Sequence, residues 1–405
     1  MIFPAYVQSM IEKLRDAGFT AYAVGGCVRD TFLGRTPNDW DVTTSAKPEE
    51  TMAVFSDAPF TVYAANGLKH GTVTVSLDGE SCEITTYRTE GTYSDHRRPD
   101  EVHFVTDIRD DLSRRDFTVN AMAAAPRADG SFDLVDPFGG REDLAAGLLR
   151  AVGDPVKRFT EDALRILRGI RFASRYGFTV DPDTARAMHE CAPLLEEIAP
   201  ERIGDEMRGI LKAPHCKRIL TQFEDIAGRL FPACSVSLLP VGNASLTARL
   251  SCLLAPLSPE EAERLLLHYA FGSSAAKTVS CFLRFREAEL ARHDVRCAVA
   301  DQIGRENMDD FFAFRRALAP ADTALVAHKS ATLALFADGV CYNTATLAVR
   351  GADLLVAGIP ASPKIGQILA ALTRDVIAGK YKNDRDTLLR AAIADYSSVS
   401  SVPSD

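Results

Sequence analysis

The sequence predicts an α+β fold, with a mixed β-sheet and helices in the first part of the chain and helices alone in the rest. Before Arg150 the apolar residues come in short or alternating runs, such as Gly71 to Leu77 and Glu101 to Val105, which suit strands. After it they recur at helical spacing over Phe159 to Tyr176, Asp183 to Ala192, Pro200 to Leu211, Ser258 to Tyr269 and Ile365 to Ala378. Proline- and glycine-bearing breaks fall between them at Pro232 to Gly242 and Gly358 to Pro363. A length of 405 residues exceeds what one core fills, so two or more domains are expected.

Taken in order, Ala21 to Val24 reads as a short buried strand running into Gly25-Gly26. Two glycines allow a sharp turn and a close approach of backbone N–H groups to a ligand. Arg29 falls in the first turn of the helix that follows, where a helix N-terminus and a forked cation would favour polyphosphate. The same pattern also serves as a plain tight turn, and it lacks both the spaced glycines of the dinucleotide fingerprint and the lysine of the P-loop. Asp39 and Asp41 come next. Two apart on a strand, they share a face and can grip one hard cation, with Trp40 and Val42 turned into the core. Paired carboxylates repel unless a cation neutralises them, although a solvated acidic turn after Pro37-Asn38 is the alternative. The alternation of Ser81 to Arg88 suggests a strand with Glu83 on one face, either a third acidic group of the site or an edge charge.

Thr89 to Asp100 is polar and rich in turn residues, hence a loop. Arg114-Arg115-Asp116 is a compact mixed-charge group entering Phe117 to Met122, a partly buried segment; a salt bridge with a helix cap would explain it, and so would a ligand site. Phe159 to Tyr176 is the strongest helix pattern, with Ala163, Ile166, Leu167, Ile170, Ala173 and Ser174 on one arc and Arg165, Arg168, Arg171 and Arg175 on the other. An arginine face is ordinarily solvated surface, yet four arginines of one sign also suit a triphosphate or RNA phosphates. Asp162 and Arg165 lie one turn apart and can meet the same ligand.

Formal net charge is −9, which at first sight disfavours an RNA partner, but overall charge does not fix local potential, and Arg97-Arg98, Arg114-Arg115, Lys157-Arg158 and Arg165 to Arg175 concentrate positive charge locally. Nine cysteines with wide spacing and no Cys-x-x-Cys pair read as reduced core thiols rather than a disulfide or zinc framework. The eight histidines show no metal spacing, and His70 reads as structural. No run of about 18 apolar residues occurs and the start carries no leader pattern, so the expectation is a cytoplasmic protein with no membrane partner. Ser397 to Asp405 is expected to fray.

The ordered set Gly25-Gly26-x-x-Arg29-Asp30, Asp39-x-Asp41, His70-Gly71-Thr72-Val73-Thr74-Val75, Glu83-Ile84-Thr85-Thr86-x-Arg88, Arg114-Arg115-Asp116-Phe117-Thr118-x-Asn120-Ala121-Met122, Asp136-Pro137-x-Gly139-Gly140 and Glu161-Asp162-x-x-Arg165 resembles the class II tRNA nucleotidyltransferases, the CCA-adding enzymes. These share a superfamily with bacterial poly(A) polymerases. The likeness is dense over the first half and weaker near Gly379 to Asp384. It implies a nucleotidyltransferase head over 1–145, a helical neck for nucleobase recognition over 146–205, a helical body over 206–320 and a helical tail that binds tRNA over 321–405.

The same resemblance implies that Asp39 and Asp41 hold Mg²⁺, with Glu83 as a third catalytic carboxylate. It also implies that Gly26, Arg29 and Arg115 bind nucleotide, that Asp116 and Asn120 recognise the ribose, and that Asp162 and Arg165 read the base of CTP or ATP, aided by Arg168 and Arg171. Glu161 then orients Arg165. The Thr89 to Asp100 loop argues for competence to add the final adenosine, and Asp136 to Leu144 resembles the segment coupling head and neck as specificity changes. Asn38 and the Gly71 to Val75 run favour the CCA branch over the poly(A) polymerases; a branch that adds A alone shares nearly all these features, and a homodimer is also admitted. A tRNA-binding protein with a decayed site is the reading from another class, which the intact acidic pair opposes.

Overall fold

The computed structural model describes residues 1–63, 71–90 and 102–400. The chain divides into two compact units, Met1–Leu230 and Phe231–Asp405. His70, residues 91–100 of the polar loop with Arg97-Arg98, Glu101 and the extreme C-terminus from 401 lie outside the described residues.

The first unit opens with helix α1 (Ala5–Asp16), whose Val7, Met10, Ile11 and Leu14 repeat at helical spacing and are all fully buried. It lies beside strand β1 (Ala21–Val24), which leads through Gly25 into helix α2 (Gly26–Phe32). Strands β2 (Asp41–Thr44), β3 (Thr61–Tyr63), β4 (Thr72–Leu77) and β5 (Glu80–Thr86) follow, with helix α3 (Pro48–Val54) between β2 and β3. A short hairpin, β6 (Arg88–Glu90) with β7 (Val102–Phe104), flanks the polar loop. Helix α4 (Ile108–Ser113), β8 (Ala123–Pro126) and β9 (Phe132–Val135) complete the sheet region.

One seven-stranded sheet takes the order β3-β4-β5-β2-β1-β8-β9, antiparallel except for the parallel pair β2 and β5. In β4 the sequence TVTVSL buries Val73, Val75 and Leu77 and leaves the alternate residues partly exposed, as period two requires. That parallel register sets Asp41 opposite Glu83 and Val42 opposite Ile84. Val42 and Ile84 are fully buried and Trp40 nearly so, while Asp39, Asp41 and Glu83 are exposed. The Phe117 to Met122 segment is fully buried rather than partly so, and curls into a 3-10 turn over Thr118–Asn120.

Helix α5 (Gly140–Ala146), strand β10 (Leu148–Leu149) and helix α6 (Pro155–Glu161) lead to α7 (Leu164–Tyr176). The single helix expected over Phe159 to Tyr176 is therefore two. Asp162 is extended, at φ −142° and ψ 101°, and ends the first helix as its C-cap, while its carboxylate accepts the N–H of Leu164, the first residue of the next, at 3.1 Å. Strand β11 (Thr179–Val180), α8 (Pro182–Cys191) and α9 (Pro200–Lys212) follow, the last two within a residue of their expected limits.

The second unit is helical throughout its described residues, apart from loops and short 3-10 turns. Helices Pro259–His268 and Lys364–Ile377 match the spacing read from sequence, while Leu246–Leu253, Ser273–Arg284, His293–Ile303 and Met308–Leu318 were not legible as separate elements. Leu347, Val349, Leu354, Leu372 and Leu388 centre one of its cores. No described helix is long and apolar enough to cross a membrane. All nine cysteines are free, seven of them buried.

Candidate active site

A cavity of about 610 Å³ opens in the first unit where β1, β2, the Arg114 to Asn120 segment and α7 converge. Its lining includes Gly25, Gly26, Arg29, Asp39, Asp41, Arg115, Asp116, Asn120, Asp162, Arg165, Arg168 and Arg171. Of the site residues expected from sequence, only Glu83 is not part of that wall; it sits one strand over, opposite Asp41. The lining also takes in Arg114, Leu164, Phe172, Arg175 and Arg202. Arg202 comes from α9, 40 residues beyond Asp162, and nothing in the local sequence marks it.

Eight arginines face four aspartates across this wall, so a chain of net charge −9 carries a cationic pocket. Gly25 has φ +77°, and a side chain there would also come within 2.7 Å of Nη1 of Arg115. Only glycine suits both demands. Arg114 and Arg115 are both held by Asp111, a fully buried carboxylate on α4: Arg114 donates at 2.9 and 3.0 Å, Arg115 at 3.4 Å. Burial alone would raise the Asp111 pKa, but the two guanidiniums outweigh it and hold it below the usual value. The spacing of Asp111 at three and four residues before the arginines is the signal that would have found it.

Asp116 is 7% exposed and fully engaged. One oxygen accepts the N–H of Phe117 at 2.8 Å and the amide of Asn120 at 3.0 Å, and the other accepts Arg168 at 2.9 Å. Burial pushes its carboxyl up, yet Arg168, the Asn120 amide and Arg165 together bring it down to about 2. On α7, Arg165 donates to Glu161 at 3.0 Å and Arg171 to Glu206 at 2.6 Å; Arg202 reaches Asp162 only at 3.5 Å. The Asp136-Pro137-x-Gly139-Gly140 motif supports this wall from behind. Asp136 accepts the N–H groups of Gly140 and Arg141 at 2.7 and 2.9 Å, and Gly140 is pressed so closely on the Thr118 carbonyl that no side chain fits.

Asp39 and Asp41 supply hard oxygen donors side by side on the same wall. Desolvation first, then the charges of Asp39 and Glu83, raise the Asp41 carboxyl from 3.8 to about 6 against the opposing pull of Arg115. A divalent cation would relieve that repulsion. Among the described residues no group of three or more His, Cys, Asp or Glu side chains could hold a metal, and the pair on this wall offers two carboxylates. That suits an ion which keeps water and takes further ligands from a substrate phosphate.

Residues 21–150 match the poly(A) polymerase head domain, 177–232 an RNA- and SrmB-binding segment of polymerase A, and 244–392 the second domain of tRNA nucleotidyltransferases. The chain is 35% identical to the CCA-adding enzyme of Limosilactobacillus fermentum over 395 residues, 95% of each protein. It is 36% identical to that of Streptococcus gordonii over 399 residues, 94% of each. The crystal structure of the Bacillus stearothermophilus CCA-adding enzyme in complex with CTP superposes with a TM-score of 0.76 at 30% identity, covering 98% of this chain and 99% of that one. With relatives matched over nearly its whole length, the chain belongs to the CCA-adding enzymes, the tRNA nucleotidyltransferases.

Proposed function

We propose that this protein adds C, C and A to the 3′ end of tRNA from CTP and ATP, releasing pyrophosphate, with no nucleic acid template. The observation that carries the reading is the single cavity in which the acidic pair, the glycine turn and the arginine face of α7 meet. In the reaction the tRNA 3′ oxygen attacks the α-phosphorus, its proton is lost, and the bond to the β-phosphate breaks. Asp39 and Asp41 would hold Mg²⁺, which when bound neutralises triphosphate charge and acidifies the attacking hydroxyl.

The other roles belong to the chain itself. The Gly25-Gly26 turn offers backbone N–H groups to phosphate, and Arg114 and Arg115, held by Asp111, face the same space. Arg168 and Arg171 stand ready for the nucleotide, while Asn120 and Asp116 fix the wall at the ribose. Asp162 and Arg165 present donors and acceptors to the base edge. Glu161 holds Arg165 in place, and a mispaired polar edge left dry there costs about 1–3 kcal/mol. The four-part division into head, neck, body and tail assigns tRNA binding to the second unit as well. Nine free thiols support a reducing, cytoplasmic setting.

Incubation with tRNA lacking its 3′ end, Mg²⁺ and labelled CTP or ATP, given separately and together, tests the reading. Two C residues and a single A are expected. Addition of A alone would mark a specialist, long A tails a polymerase, and no incorporation a binding protein. Asp39→Ala and Asp41→Ala are expected to abolish transfer and leave tRNA affinity intact; turnover by either at the wild-type rate would remove the acidic pair from the chemistry.

A further inference from the structure

Helix α7 is fastened to the phosphate turn at one point outside the cavity wall. Tyr176 closes α7, and its hydroxyl lies between two neighbouring groups of α2: it accepts from Nη2 of Arg29 at 2.8 Å and donates to Oδ1 of Asp30 at 2.9 Å. Its ring stacks on Phe172, one turn earlier, with centroids 6.3 Å apart and planes 22° from parallel. The Arg29 guanidinium rests on both rings, 4.8 Å from that of Tyr176 and 5.2 Å from that of Phe172.

Every nitrogen of the Arg29 side chain is thereby committed, Nε to Asp30 at 2.9 Å and Nη1 to the Asn120 amide oxygen at 2.5 Å. An arginine 5% exposed and so held is a strut more than a free phosphate clamp. The bond to Asn120 turns the amide nitrogen toward Asp116, and Asp116 grips Arg168 of α7. The bonds therefore form a closed circuit from Tyr176 through Arg29, Asn120 and Asp116 to Arg168, which leaves α7 and returns to it two turns away.

We infer that Tyr176 is a positioning residue for base selection: its hydroxyl sets where the base-reading end of α7 stands relative to the seated triphosphate. The inference rests on the function proposed above. With the phosphates anchored at the glycine turn, a small shift of α7 carries Asp162 and Arg165 out of line with the base edge, and hydrogen-bond readout tolerates little misplacement.

Tyr176→Phe removes one oxygen and leaves the ring beneath Arg29. Calorimetric titration with CTP and with UTP, run beside the transfer assay, is expected to show the preference for CTP shrinking at least about tenfold, as loss of the hydroxyl's two hydrogen bonds to charged groups implies. Affinity for tRNA is expected to hold. Asp30→Asn weakens the same knot from α2 and is expected to act alike, so the test survives poor folding of either variant. An undiminished preference in the folded variants, whatever their melting temperature, would overturn the positioning role. Because selection is read as binding, a wild type that prefers CTP yet transfers nothing would sink the enzymatic reading and leave the knot standing; a wild type that binds both nucleotides alike yet adds C, C and A would sink the positioning role and leave the enzymatic reading standing.

Discussion

Asp41 is the residue at which stability and chemistry pull apart. In the metal-free fold its carboxyl keeps its proton to about pH 6, whereas an ordinary aspartate gives it up near 3.8. The sign follows directly: the contribution of the protonated group is fully present below the unfolded value and is lost as the pH rises through 6. The charged form is thus the disfavoured one at neutral pH. Asp41→Asn is expected to stabilise the metal-free protein at pH 7.5 by no more than about 1 kcal/mol, because solvent screens an exposed group, and so to raise its melting temperature. The gain should shrink as the pH falls from 6 to 4. Thermal scans of both proteins at three pH values would show it, and an Asn variant whose gain over the wild type is no larger at pH 7.5 than at pH 4 would contradict the account. Added Mg²⁺ should reverse the order by binding the wild type alone.

At the level of elements, α7 does the work of two walls, one apolar and one cationic, and its apolar side leaves little room at Gly169. A side-chain carbon there would meet the Phe117 ring at 2.9 Å and the Met188 methyl at 3.0 Å. Gly169→Val is therefore expected to lose about 1–3 kcal/mol by overpacking, read as a lower urea midpoint, despite the poor helix propensity of glycine. An unchanged midpoint would show that Phe117 can yield.

This helix also shows what was legible in the sequence. Period 3.6 placed its buried and arginine arcs, and the same reasoning drew it through Asp162, because one extended residue between two helices of matching apolar spacing leaves the pattern intact. The acidic pair, the glycine turn and the arginines were readable because each lies in a short local motif. Arg202, Asp111 and Tyr176 act across 40, 3 to 4 and 146 to 147 residues respectively, and only the middle spacing is local enough to be inferred. In the second unit, long runs of mixed apolar helices hide their boundaries, since turns such as Ala270 to Gly272 carry few strong breakers. The position of Glu83, beside the acidic pair and off the cavity wall, depends on strand pairing that local pattern cannot supply.

Seen whole, the molecule holds a cationic pocket within an anionic chain. A net charge of −9 repels bulk RNA, while the eight arginines of the pocket attract phosphate at one place. Affinity for tRNA is therefore expected to fall at least about tenfold between 50 and 200 mM KCl, with a negative log–log slope. Fluorescence titrations across that range check it, and an affinity indifferent to salt would argue for recognition by shape alone.

The parallel pairing of β2 with β5 has one more consequence. Side chains in a strand alternate, so a single residue inserted or removed between Asp41 and Thr44 would slip the register that sets Asp41 opposite Glu83, turning either Asp41 inward or Val42 out to water. Strand length in this stretch is thus as tightly constrained as residue identity, and variation among related proteins should arrive here by replacement and never by insertion or deletion.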